Sequence, residues 1–271
     1  MRFIIKPLLW AYDVLVMYLC LFWLGMLCLF WTPIALILYP LLSTQKGRVI
    51  GRYMISVGFR IYIATLTISG RCRFDLKSLD ILKKEKALIL APNHPCLLDA
   101  VMIISRLPNV ACVMKPELVK NIFLGAGARL ARYIPSDPAR NMILHAIKDF
   151  ESESQLLLFP EGTRTTKDPV NTFKGSIGRI AQHAQVPVQT ILIEADTRFL
   201  SKGWSLFRKP VLPIHYKITL GKRFDPPQNT YQFMIELEQY FRDELVKGSA
   251  FYPHGTLDIK KQLANHLQQI Q

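Results

Sequence analysis

The stretch QLLLFPEGTR, Gln155 to Arg164, sets the frame for the rest of the chain. Gln155 to Leu158 is an apolar run that reads as a buried strand, so Phe159 to Arg164 is the loop leaving it. Open α/β sheets hold their ligands at that end of their strands. Pro160 stiffens this loop, Gly162 permits a close approach or an unusual dihedral, and Thr163 offers a hydroxyl. Arg164 adds a planar fork of donors that fits a phosphate. Glu161 needs a reason of its own, because a carboxylate repels a phosphate; it either hydrogen-bonds a substrate hydroxyl or aims Arg164. The plain alternative is a polar turn with an incidental ion pair.

A second loop lies upstream in ALILAPNHPCLLD, Ala87 to Asp99. Ala87 to Ala91 suits a buried strand that Pro92 and Asn93 end. Pro95 fits the first position of a helix running to Leu107, capped by Asn93 or His94. Spacing then constrains geometry. His94 and Asp99 are five apart, and on one continuous helix they would point about 140° from each other at roughly 100° per residue. They meet only if His94 lies on the turn and its ring folds back over the first helical turn.

A lone His-x4-Asp pair is weak, but here it is followed 67 residues later by FPEGTR, each motif after a strand. Together NHPCLLD and FPEGTR resemble the signatures of the glycerolipid acyltransferase superfamily, over roughly residues 68–220. The resemblance implies an α/β fold, a mixed sheet flanked by helices, and an acyl-thioester donor, acyl-CoA or acyl carrier protein, as co-substrate. It implies His94 as general base with Asp99 as its partner, and Glu161, Gly162, Thr163 and Arg164 as acceptor-binding groups. Family members carry a phosphate-binding arginine shortly after the strand that ends in RYIPSD. Pro138 stands at that place here, leaving Arg140 or Arg132 to substitute, unless both are solvated surface arginines. Family members also often have a proline where Thr190 stands.

Bulk properties narrow the partners. A formal net charge of +14 on 271 residues calls for an acidic partner: nucleic acid, an anionic membrane or a phosphorylated substrate. The N-terminal segment decides among these. Val14 to Leu42 holds 29 residues without a charge, rich in Leu, Trp, Phe and Met, which identifies a membrane segment and no nucleic-acid partner. As one helix it would be about 43 Å long, more than the roughly 30 Å hydrocarbon core needs. Pro33 predicts a break, giving two membrane-embedded helices, Lys6 to Trp31 and Pro33 to Arg48, in a hairpin that either spans the bilayer or only dips into it. The family resemblance implies a hairpin dipping in from the cytoplasmic side of the plasma (inner) membrane, with the catalytic domain facing the cytoplasm. Basic residues at both hairpin ends agree with that placement. The run is too long for a signal peptide, and no small-residue cleavage site follows. The five cysteines show neither a disulfide framework nor metal-ligand spacing, and imply a reducing compartment.

Three regions follow: a membrane anchor with interfacial helices at 1–67, a catalytic domain at 68–250 and a tail at 251–271. Gly51 to Thr67 is either a surface-lying amphipathic helix or a core helix. Strands are predicted at Arg71 to Phe74, as an edge, at Val110 to Met114, at the end of Arg132 to Asp137, at Val186 to Glu194, and at Pro213 to Leu220 as a second edge. Helices are predicted at Leu118 to Ala131, Ala139 to Glu151, Phe173 to Gln185 and Gln228 to Val246. A short helix is possible at Leu257 to Leu267.

The expected chemistry needs no metal or bound cofactor. Neutral His94 takes the proton of an acceptor hydroxyl as its oxygen attacks a thioester carbonyl, and Asp99 fixes the tautomer. Arg164 with Lys115 anchors the phosphate of a lysophospholipid, most simply 1-acylglycerol 3-phosphate. Four alternatives compete: acyl transfer to a different acceptor, another lysolipid or a non-phospholipid alcohol; an acyl-Cys96 intermediate; a membrane-tethered thioesterase using the same pair on water; and a non-enzymatic lipid-binding protein that has no need of the pair.

Overall fold

A computed structural model of the chain describes residues 2–205 and 208–247. The order is α1 (Arg2–Leu41), α2 (Thr44–Ile68), β1 (Cys72–Asp75), a 3-10 helix (Lys77–Lys84), β2 (Leu88–Pro92), α3 (Asp99–Arg106), β3 (Val110–Met114), α4 (Pro116–Val119), α5 (Gly125–Leu130), β4 (Ile134–Pro135), α6 (Ala139–Phe150), β5 (Gln155–Leu157), α7 (Ser176–Ala184), β6 (Val188–Ala195), β7 (Ile214–Phe224) and α8 (Thr230–Lys247). The seven strands form one sheet ordered β1-β7-β6-β2-β5-β3-β4. Every neighbouring pair is parallel except β6 with β7.

Strand composition follows from burial on both faces. All five residues of β2 are buried, as expected of parallel strands covered on each side, whose sequences run apolar instead of alternating. Leu88 and Leu90 face a core completed by Tyr62 and Leu66 of α2 and by Met102 and Ile103 of α3. Ile89 and Ala91 face the other, completed by Ala146 and Phe150 of α6, Ile177 and Ile180 of α7, and Leu237 and Phe241 of α8. The result is a mixed sheet between two helical layers. Because β2, β3 and β5 run in parallel as neighbours, the loops after them emerge at one end.

Several expectations are corrected. α1 does not break at Pro33; it runs from Arg2 to Leu41 and turns only before Thr44. Trp31, Ala35 and Leu38 pack on Ala126 and Leu130 of α5, and that contact offsets the roughly 3 kcal/mol an interior proline costs. The second helix therefore begins at Thr44, after the turn, with the Ser43 hydroxyl accepting from Lys46 N. Residues 118–131 form two short helices instead of one. The strand at 214–224 is not an edge but lies between β1 and β6, its alternating pattern reflecting one face that is only half-buried. The possible helix at 257–267 lies outside the described residues.

α2 is part of the core. Gly47 and Gly51 lie against α5, where a Cβ on Gly51 would sit 2.6 Å from Ala131 N. At the next residue, the buried Arg52 guanidinium donates to Ala131 O at 3.0 Å, Ser154 Oγ at 2.8 Å and Asp149 Oδ1 at 2.8 Å. Removing Arg52 leaves the buried Asp149 with only the longer contact from Arg48 Nη1, at 3.4 Å, and an underpaired buried charge is costly. We therefore expect Arg52→Met to lower unfolding free energy by about 3–5 kcal/mol in denaturant titration of the detergent-solubilised protein. A loss below about 1 kcal/mol, the range of exposed pairs, would contradict this role.

Candidate active site

The site lies where the loops after β2 and β5 meet. Asn93 secures the first loop to the neighbouring strand: its Nδ2 donates to Ile193 O at 3.0 Å, and Ile193 N donates to its Oδ1 at 2.7 Å. The helix does not start at Pro95. Residues 93–98 form an irregular turn, Leu98 caps α3, and Asp99 is its first residue. His94 therefore lies off the helix, and its ring reaches back so that Nδ1 is 2.8 Å from Asp99 Oδ2. This is the arrangement that the five-residue spacing demands.

Asp99 is completely buried and compensated by donors. Cys96 N donates to Oδ2 at 2.8 Å and Cys96 Sγ to Oδ1 at 3.0 Å, in addition to His94 Nδ1–H. A carboxylate acceptor fixes the proton on Nδ1 and leaves Nε2 with its lone pair. The His94 ring stacks on Phe159 with centroids 3.9 Å apart, and its side chain retains 17% exposure. It is thus held by neighbours yet open to a reactant. Cys96 is buried, and its thiol is pushed well up by burial first and then by the Asp99 charge. The thiolate needed for an acyl-cysteine is disfavoured there, which removes support from the covalent alternative.

Glu161 has a role the sequence did not disclose. It is buried, and its Oε1 accepts His94 N at 2.9 Å and the Thr165 hydroxyl at 2.7 Å, while Oε2 accepts Asn171 N at 2.8 Å. Thr165 N returns a bond to His94 O at 2.8 Å. The carboxylate thus joins the two motif loops. Burial pushes its carboxyl above the usual range, opposed by the Asn171, Thr165 and His94 hydrogen bonds.

Gly162 has a φ of +66°, so its backbone calls for glycine, and the flexible end of the Lys174 side chain lies over it. Lys174 precedes α7 and is fixed by its N donating to Pro160 O at 2.8 Å. Thr163 and Arg164 are half-buried beside it. The Arg164 Nη1 donates to Leu200 O at 2.9 Å and Ser201 O at 3.2 Å, which commits one nitrogen of its fork to the 200–201 backbone.

The structure therefore brings His94, Asp99, Glu161, Gly162 and Arg164 together and draws in Asn93, Cys96, Phe159, Thr165 and Asn171. Asn93, Cys96 and Phe159 lie within the motifs and Thr165 adjoins one, but nothing in the sequence marks Asn171 as a partner of Glu161. Lys115, which precedes α4 at the carboxyl end of β3, and Arg140, in the first turn of α6, are exposed. Among the described residues neither shares a hydrogen bond or ion pair with the motif residues. His145 is exposed on α6. No group of three or more His, Cys, Asp or Glu side chains is placed to share a metal ion among the described residues.

Chemically, the site is a histidine oriented by a buried carboxylate, with no serine or reactive thiol hydrogen-bonded to its ring among the described residues, at the mouth of a glycine-containing loop that carries cations. Residues 73–194 match the family model described as Acyltransferase. Among solved structures, the 1-acyl-sn-glycerophosphate (LPA) acyltransferase PlsC from Thermotoga maritima matches with a TM-score of 0.65 at 20% identity, covering 92% of this chain and 98% of that one. No curated protein sequence matches the chain. Residues 73–194, which carry both motifs and the hydrogen bonds that join them, form an acyltransferase domain, and the chain is an acyltransferase enzyme with the fold of that solved neighbour.

Proposed function

We propose that the protein transfers a fatty acyl group from an acyl thioester to the free hydroxyl of a lysophospholipid, 1-acylglycerol 3-phosphate, giving phosphatidate. The observation that carries this reading is the His94–Asp99 pair, with Nδ1 committed to Asp99 and, among the described residues, no hydroxyl or thiol hydrogen-bonded to the ring. The nucleophile must then come from a substrate. Nε2 takes the hydroxyl proton as the oxygen attacks the thioester carbonyl, and Asp99 stabilises the imidazolium. Collapse of the tetrahedral intermediate breaks the C–S bond, and the imidazolium returns the proton to the departing thiolate. Arg164, in the second motif, and Lys174, whose side chain lies against Gly162, supply the acceptor's phosphate contacts in this reading, together with Lys115 and Arg140. The neighbour's activity as a 1-acyl-sn-glycerophosphate acyltransferase agrees with this acceptor.

The reading includes a membrane interface. Two helices, spanning Trp10–Leu41 and Thr44–Ile68, are long and apolar enough to cross a membrane, yet α1 is bonded to the domain near both of its ends. Asp13 accepts from Arg71 at 2.8 Å and Lys209 at 2.6 Å, and Arg132 donates to the Tyr39 hydroxyl at 2.9 Å. At 1.5 Å per residue these sites lie about 39 Å apart along the helix, more than the roughly 30 Å hydrocarbon core. A helix crossing the bilayer would separate them; one lying along the membrane surface would not. Leu15, Leu19, Phe22, Phe30 and Ile37 are exposed on α1 and face acyl chains in this arrangement. The protein is then monotopic on an anionic leaflet, where its acceptor keeps its tail in lipid at a saving of about 0.8 kcal/mol per methylene.

The test is to give the purified protein labelled acyl thioester with a panel of acceptors. Labelled phosphatidate formed only with 1-acylglycerol 3-phosphate is expected; free fatty acid without acceptor would replace the reading by a thioesterase, and preference for another acceptor would replace the substrate. His94→Ala is expected to lower kcat about 10²- to 10⁴-fold with vesicle binding unchanged, and retention of most activity would remove His94 from the base role. Glu161→Gln places an amide donor against one of three donors, so we expect a stability loss of about 1–3 kcal/mol together with lowered kcat. Unchanged unfolding and kinetics would show that Glu161 does not tie the loops.

A further inference from the structure

The loop between α4 and α5 is firmly built yet apolar at its tip. Asn121 Oδ1 accepts Phe123 N at 2.8 Å, Gly125 N donates to Asn121 O at 2.8 Å, and Arg129 Nη1 donates to Val119 O at 2.8 Å. Gly125 is required for the closure, since a Cβ there would lie 2.3 Å from Val119 O. This framework holds Ile122 at 69% exposure, Phe123 at 41% and Leu118 at 38%. Single exposed apolar residues need no explanation, but a rigid apolar tip with nothing in the described chain covering it calls for a partner.

The surroundings identify that partner's chemistry. Lys115, Lys120 and Arg129 are exposed around the tip, with Glu117 as the acidic residue among them. The tip also abuts α1: the Thr32 hydroxyl is 3.1 Å from Ile122 O, and Leu29, Phe30, Ile34 and Ile37 are exposed on that part of the helix. An apolar point ringed by cations and continuous with an apolar helix matches an anionic bilayer, with side chains among acyl tails and ammonium or guanidinium groups at the headgroups. The loop also follows β3 at the carboxyl end of the parallel strands, the end from which the His94 and Glu161 loops emerge.

We propose that the 118–123 loop is a second membrane contact, inserting Ile122 and Phe123 into an anionic leaflet beside α1. With α1 it fixes the height and tilt of the active site over the lipid. The proposal rests on the interfacial reading of the protein given above.

The test uses the full chain carrying Ile122→Cys, labelled with an environment-sensitive fluorophore and mixed with vesicles of equimolar phosphatidylcholine and phosphatidylglycerol. Lys148→Cys on α6, in the opposite helical layer, serves as the comparison site, and the unsubstituted protein gives the background from native cysteines. The expected result is a blue shift at 122 with quenching by acyl-brominated lipid several-fold greater than at 148. Ile122→Asp should weaken vesicle partitioning on the order of tenfold while leaving turnover of a short-chain, water-soluble acceptor unchanged. A label at 122 that stays in water while the protein sediments with vesicles would overturn the proposal and assign the tip to a protein partner. Failure of the unsubstituted protein to bind vesicles would overturn the interfacial reading, and the proposal with it.

Discussion

The site depends on one buried carboxylate facing several donors. Glu161 accepts from the backbone of His94, from Thr165 and from Asn171, and so sets the distance between two loops 67 residues apart in sequence. The sheet makes this local: β2 and β5 are parallel neighbours, so the turns that follow them emerge side by side. A second buried carboxylate, Asp99, repeats the device within the first loop, receiving both Cys96 donors and the imidazole. Each carboxylate's desolvation is offset by hydrogen bonds, and the outcome is a histidine with few ways to move. Catalysis by positioned proton transfer needs such restriction, because a base acts only within hydrogen-bond reach of its proton.

Much of this was legible in the residues. The five-residue spacing of His94 and Asp99 excluded a shared helix and placed His94 on the turn, where it lies. The strands before both motifs, the inward stripe of α6 and the mixed α/β architecture followed from apolar runs and periodicity. The partners of Glu161 did not follow, because Asn171 lies ten residues further along an irregular loop and no local pattern announces a backbone N–H turned towards a carboxylate. Arg164 was read as an open fork, but its bond to the 200–201 backbone comes from a segment remote in sequence. The start of α3 was misplaced because Pro95 is as acceptable in a turn as in a first helical turn; the capping of Asp99 by Cys96 N decided the matter.

The same limit explains the N-terminal region. Pro33 marked a break by local rules, whereas packing of Trp31, Ala35 and Leu38 against α5 keeps α1 continuous. No local pattern singles out Arg52, which is buried on α2 and bonded to Asp149 through the fold. The β7 pattern resembled an edge because one face is half-buried, while its pairing with β1 depends on a strand more than a hundred residues earlier. In each case a long-range contact overrode a local preference. The two N-terminal helices are consequently packed on the acyltransferase domain as well as apolar on their outer face, which gives the proposed interfacial enzyme a rigid relation between bilayer and base.

The central claim is that the buried Asp99 carboxylate makes His94 a base. Steady-state kinetics of Asp99→Asn, with acyl thioester and 1-acylglycerol 3-phosphate, tests it most directly, since the amide keeps the shape while offering a donor where Nδ1–H needs an acceptor. The account predicts kcat/KM lower by about 10²- to 10⁴-fold, with the acceptor KM little changed and a stability loss of about 1–3 kcal/mol, the same as expected for Glu161→Gln. Activity within a few-fold of the unsubstituted enzyme, in a folded variant, would contradict it.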